Sequence, residues 1–403
     1  MKKLWNIDFI LLLQGSAVST IGDVMYSVAI AYWVYEKTGS NSLMGIMASI
    51  SMFVSMFLSP FTGSIVDKCN RKWVMVGMDV MQGIVMLTVG ALAYFDKLEV
   101  PGVLLAAFLA AMGSVFYSPA ASSLMIDIIP KDDMTRGQSL FSSVTSLINT
   151  VGTAFSGLMV AFFGVPLIVI LNGLSNLYSA VTELFVRVPR TVQQGTPVTV
   201  KGVLGDSVKA VKLIFADPAL KIFVPFALIL NFLCGGVYSM LLPFCLEKGF
   251  SVDSYGYLMT VQTVGSLVCA MLLGIIKLQP KQRFTIMATG FIGAMFFLGT
   301  AYLANSFIIV CILSFIGVFL NMAGNSVFNA SLMLALPEEN RGAILGFITS
   351  ASIGGTALST VVYGFLGDIF PLYLVFVAGG AIALLPMCYM CLHPKVKEFV
   401  LNH

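Results

Sequence analysis

Twelve apolar runs, separated by short charged or Gly/Pro-bearing turns, set the pattern of this chain. They lie at 9–34, 43–66, 73–94, 101–127, 138–163, 165–187, 220–246, 253–276, 284–303, 306–336, 342–367 and 370–392. Each reaches the ~20 residues that a helix needs to cross a hydrocarbon core. The pattern therefore predicts an all-α polytopic membrane protein with twelve transmembrane helices. The fifth and sixth runs meet at Gly164-Val165-Pro166 and the last two at Asp368 to Pro371, turns tight enough for either pair to be miscounted. Breaks at Ser59-Pro60, Ser118-Pro119, Leu242-Pro243 and Leu385-Pro386 read as helix kinks.

The placement of charge supports an even count. With both chain ends on the cytoplasmic side, nineteen basic residues fall in inside segments and only Lys37, Lys97 and Lys248 fall outside. The positive-inside rule selects that orientation. The longest hydrophilic stretch, Arg187 to Lys221, lies mid-chain and carries an amphipathic piece from Val203 to Phe215. Its Val203, Leu204, Val208, Val211 and Ile214 can lie on a bilayer while Asp206, Lys209 and Lys212 face water. The expected organisation is a six-helix bundle over 1–188, a cytoplasmic linker over 189–219 and a second six-helix bundle over 220–403. Ser123-Leu124-Met125, Pro130, Arg136-Gly137 and Gly152-Thr153-Ala154 return as Ser331-Leu332-Met333, Pro337, Arg341-Gly342 and Gly355-Thr356-Ala357. The halves read as pseudo-symmetric copies, and duplicated halves are a transporter architecture.

Composition excludes several classes. Of 403 residues, 58% are hydrophobic and only 10% charged, and the mean hydropathy is +0.95; a soluble domain carries about a quarter charged residues. The seven cysteines sit in apolar runs or beside a basic loop and read as packing residues, with no disulfide framework. Both histidines, His393 and His403, are in the last eleven residues, which removes histidine metal centres and histidine catalysis from the membrane. The reading therefore includes no cofactor, no metal, no nucleic acid and no nucleophile–base pair of an enzyme. Asp23 and the lack of a small-residue cleavage site argue that the first run is a retained span.

Asp23 stands alone in its run. In a helix from Phe9 to Val34 it lies roughly 21 Å from one end and roughly 16 Å from the other. Ser16, Thr20, Asp23 and Ser27 share one face, with Gly15 and Gly22 beside them. An ionisable residue at mid-membrane marks a pathway or coupling site by default, and Asp23 is the coupling candidate, with a structural hydrogen-bonded acid as the plainer reading. Asp127, Asp79 and Glu183 have local explanations: an inner-end partner for Arg71, a helix-interface hydrogen bond, and an i,i+4 ion pair with Arg187 respectively.

The turn between the second and third spans reads Gly63-Ser64-Ile65-Val66-Asp67-Lys68-Cys69-Asn70-Arg71-Lys72. This resembles the signature loop of the major facilitator superfamily, with Asn70 where glycine is usual. Asparagine tolerates left-handed backbone there. The resemblance covers the whole chain through its span count, linker and duplicated halves. It implies a conformational latch in which Asp67 caps the eleventh helix and Arg71 pairs with Asp127, with Gly63 allowing close helix contact. Independent surface acids are the alternative.

Further polar faces recur at helical spacing. The cavity candidates are Thr20, Ser27, Ser118, Asn149, Asn231, Tyr238, Asn321, Asn325 and Asn329. For each, helix-to-helix hydrogen bonding is the competing reading. No Lys or Arg lies in any predicted bilayer core, a poor setting for phosphates or carboxylates and a better one for neutral or cationic amphiphiles.

Within the superfamily the chain resembles bacterial macrolide and multidrug exporters of the third drug:proton antiporter family. The likeness rests on Ser19 to Asp23 and on the loops at 130–137 and 337–342; the glycine-proline signature of many drug antiporters is absent from the fifth span. The resemblance implies a monomeric secondary exporter of a neutral or cationic amphiphile by proton antiport and alternating access, surrounded by lipid in a bacterial cell membrane. A lysophospholipid transporter is the alternative within transport. A non-transporting membrane receptor is the alternative outside it.

Overall fold

The computed structural model describes residues 5–130, 133–187, 200–216, 220–276, 279–335, 341–394 and 397. Among them the chain is all-helical: α1 Ile7–Thr38, α2 Asn41–Lys68, α3 Arg71–Tyr94, α4 Val100–Ile128, α5 Met134–Leu184, α6 Val200–Ala216, α7 Leu220–Ser239, α8 Leu241–Glu247, α9 Val252–Ile275, α10 Pro280–Leu303, α11 Phe307–Ala335, α12 Arg341–Ile369 and α13 Leu372–Leu392. Among the described residues, eleven helices are long and apolar enough to cross a membrane. One of them, α5, has 51 residues and breaks at Gly164, whose φ of 72° and ψ of 162° interrupt the helix. At ~1.5 Å per residue it measures about 76 Å, enough for two crossings. The passes then number twelve.

Local sequence sets the helix ends. The Asn6 side chain accepts from Phe9 N at 2.9 Å to start α1, and Gly39, at φ 61°, ends it with a left-handed cap. Asn70 is not left-handed: at φ −73° and ψ 109° it is the N-cap of α3, its side chain accepting from Trp73 N. The seventh apolar run is split at Met240 into α7 and α8. Pro243, which has no N–H to donate back to Ser239, lies in the first turn of α8, where that loss costs least.

The chain divides into two compact units, one of Met1–Gly39 and Ile50–Thr199, the other of Ser40–Ser49 and Val200–His403. The linker expected at 189–219 is described only for 200–216, all of it in α6; the rest lies outside the described residues.

In the first unit the second half of α5 packs against both α1 and α3. Close approach depends on glycine: a Cβ at Gly22 would collide with Ser175 and Asn172, and one at Gly83 would come within 2.7 Å of Leu177. In the second unit Phe223, Phe226, Phe291 and Phe328 form an edge-to-face cluster, with centroids 5.4 to 6.1 Å apart, joining α7, α10 and α11. Ser359 of α12 accepts from Gly236 N of α7 at 2.8 Å.

Candidate functional site

The polar stripe of α1 opens onto a cavity of about 280 Å³ inside the first unit. Ser16, Ser19, Thr20 and Asp23 of α1 line it, with Asp79 and Gln82 of α3, Ser114, Tyr117, Ser118 and Ser122 of α4, and Thr145 and Asn176 of α5. Among the described residues, no lysine, arginine or histidine is in this lining. Asp23 lies sixteen residues from Ile7 and fifteen from Thr38, about 24 and 22 Å along the helix. Its carboxyl is half-buried, with the carboxamides of Asn172 and Asn176 beside it. Those two amides are themselves linked: Asn176 Nδ2 donates to Asn172 Oδ1 at 2.9 Å.

Glu183 departs from the expected ion pair with Arg187. It is 1% exposed and faces the bundle interior. Tyr117 donates to its Oε1 at 2.8 Å, and Ser179 reaches the same oxygen at 3.5 Å. The ion pair fails because an arginine at 187 lies past the end of α5, exposed, its backbone N–H donating to Asp8 at 2.9 Å. Asp79 is also deeply placed, at 2% exposed, with Ser179 beside it and Glu183 as its neighbour. The inward placement of Glu183 was legible in principle. Asn172, Asn176, Ser179 and Glu183 recur at i, i+4, i+7 and i+11, a polar stripe through the sixth apolar run that faces α1 and α3.

The other expected residues fall in separate places. Thr20 and Ser118 line the cavity. Ser27 is exposed and donates to Val24 O at 2.7 Å. Asn149 and Asn231 are exposed and donate to Thr145 O at 2.9 Å and Ala227 O at 2.8 Å. Tyr238 is 52% exposed. In the asparagine ladder, Asn325 donates to Asn321 Oδ1 at 3.0 Å, and Asn329 is exposed.

At the start of α3, Arg71 Nη1 lies 2.7 Å from Asp127 Oδ2 and 3.3 Å from Ser123 O, with only 7% of Arg71 and 14% of Asp127 side chain exposed. Lys72 donates to Leu184 O at 2.6 Å and Val186 O at 2.9 Å, tying α3 to the end of α5. The side chains at Gly63 and Asp67 lie outside the described residues.

The chain matches the family model described as Major Facilitator Superfamily over residues 12–352 and 224–400. Macrolide efflux protein A of Streptococcus pyogenes is 24% identical over 186 residues, 46% of this chain and just under half, 46%, of that protein. The multidrug efflux pump Tap of Mycobacterium bovis is 22% identical over 387 residues, 91% of this chain and 89% of the pump. The crystal structure of the nucleoside transporter NupG aligns over 95% of this chain and 98% of its own, with a TM-score of 0.71 and 13% identity, a likeness of fold.

Proposed function

Because the chain belongs to the major facilitator superfamily, we propose that it is a secondary active exporter of a neutral or cationic amphiphile, of macrolide or multidrug type, working by proton antiport and alternating access. The observation that carries this reading is Asp23, a mid-helix carboxyl on the wall of a cavity whose lining, among the described residues, holds no basic side chain. A carboxyl in that position has two partners open to it, a proton or a cationic group of the substrate, and occupancy by one excludes the other. Asn172 and Asn176 supply a polar setting beside it that can hold the group in either state. Competition at one carboxyl is the simplest chemistry for exchange: a proton arriving from outside displaces the amphiphile, and release of the proton inside restores the site.

The relatives named as macrolide and multidrug efflux proteins support the direction and the substrate class. The excess of basic residues in alternate loops supports a multi-pass protein of the bacterial cell membrane with both ends cytoplasmic. The Arg71–Asp127 pair, with Asp67, is the proposed latch that steadies one conformation of the cycle.

Inverted membrane vesicles provide the test, with erythromycin as the macrolide probe and ethidium as the cationic one. Accumulation of either inside the vesicles on imposing an acidic interior, abolished when an uncoupler collapses the gradient, is the expected result. Transport that persists unchanged after collapse overturns proton antiport.

A further inference from the structure

Two buried carboxyl groups, Asp79 on the cavity wall and Glu183 behind it, have no part in the exchange at Asp23. Asp79 and Glu183 are 2% and 1% exposed, and each has one oxygen, Asp79 Oδ2 and Glu183 Oε2, with no hydrogen-bond partner. The titratable groups that face them are Asp23 from α1, Tyr117 from α4 and, across Ser179, each other. Among the described residues, no cation lines the adjoining cavity. Two neighbouring carboxylates in an apolar bundle favour sharing a proton over both being charged, because desolvation and mutual repulsion act in the same direction. An unpartnered carboxyl oxygen is where a proton sits without breaking an existing hydrogen bond.

A route for that proton is also in place. Ser16 Oγ lies on the cavity wall, 2.7 Å from Tyr117 Oη, and Tyr117 donates to Glu183 Oε1 at 2.8 Å. Since the phenol gives its only proton to Glu183, Ser16 is the donor in the first contact. The cavity has room for several waters.

We propose that Asp79 and Glu183 form a second proton-binding site, distinct from Asp23, which holds one proton between two carboxyl groups and exchanges it with the cavity through Ser16 and Tyr117. In loading, a proton from cavity water passes to Ser16 Oγ, the Ser16 proton passes to Tyr117 Oη and the Tyr117 proton passes to Glu183 Oε1. One proton enters and one is delivered; rotation of the Glu183 carboxyl then turns the protonated oxygen into the unpartnered position, and rotation of both hydroxyls restores the chain. The transport consequence rests on the proton-antiport reading: one proton at Asp23 and one at this pair make export of a monovalent cation electrogenic, with two charges entering for each one leaving.

Two experiments separate this site from that reading. Infrared pH-difference spectra of the purified full-length protein need no substrate. In Asp23→Asn a protonated-carboxyl band remains, and it is lost in Asp23→Asn combined with Asp79→Asn or with Glu183→Gln. Tyr117→Phe shifts the band, because its hydrogen bond to Oε1 is gone. An Asp23→Asn spectrum with no such band overturns the proposal without reliance on any variant of the pair. In vesicles, ethidium accumulation driven by a potassium diffusion potential alone is lost in Glu183→Gln while accumulation driven by a pH gradient is retained. Equal potential-driven accumulation in wild type and Glu183→Gln overturns the second site and leaves antiport at Asp23 standing. Absence of gradient-driven accumulation in the wild type overturns the antiport reading, and the infrared band still decides the site.

Discussion

Arg71 and Asp127 show what one buried ion pair does for the first unit. A guanidinium and a carboxylate 2.7 Å apart, both largely withdrawn from water, are stable only together. Asp127→Ala leaves the arginine without its carboxylate and is expected to cost about 3–5 kcal/mol. The fluorescence of Trp33, buried in the same unit, follows the loss as a lowered melting temperature. An unchanged melting temperature contradicts the pair's structural role. Helical periodicity in the sequence puts Ser16, Thr20 and Asp23 on one face, and those three side chains line the cavity. Residue-level reading of the sequence misplaced Glu183, because i,i+4 proximity to Arg187 is a local rule and the contacts that win, Tyr117 and Ser179, include one from a helix 66 positions away. No spacing argument reports a partner at that distance in sequence.

At the level of elements, the apolar runs gave the helices almost directly, since crossing a membrane demands long uninterrupted hydrophobic stretches. The departures are at helix ends. Gly164 breaks α5 through a positive φ and not by leaving the helix for a loop, so two crossings run together as one element. Gly164→Ala places a Cβ in left-handed backbone and is expected to destabilise by about 1–2 kcal/mol, read by the same tryptophan fluorescence; a stability equal to wild type shows that the break tolerates a side chain.

A second element-level feature had no sequence signal. Asp368 of α12 accepts from Asn41 N at 2.6 Å, Ser42 N at 3.2 Å and Ser40 Oγ at 3.0 Å, and from the Ser42 hydroxyl. The residue acts as a cap on α2 supplied from 327 positions away. Asp368→Ala is expected to lower stability by about 1–2 kcal/mol and to speed hydrogen exchange at Asn41 and Ser42. Unaltered exchange at those two amides argues against the cap.

Across the whole chain, chemistry is divided unequally between two halves that repeat one another in sequence. The first unit holds all three carboxyl groups placed within its helix bundle, Asp23, Asp79 and Glu183, around or behind one cavity. Among the acids of the second unit whose side chains are described, Glu247, Asp253 and Asp368 stand at helix ends, and its interior is packed with phenylalanines and other apolar side chains. Duplication made the repeat legible, but it could not reveal this division, since repeats report common ancestry of position and not which copy retained polar side chains.

The account depends most on Asp23 as the group at which substrate and proton exchange. Ethidium accumulation against its own gradient, driven by an imposed pH gradient in inverted vesicles, measures this directly in wild type and Asp23→Asn side by side at matched protein levels. Wild type is expected to accumulate ethidium and Asp23→Asn to equilibrate it at most; uphill accumulation by Asp23→Asn at the wild-type level contradicts the account.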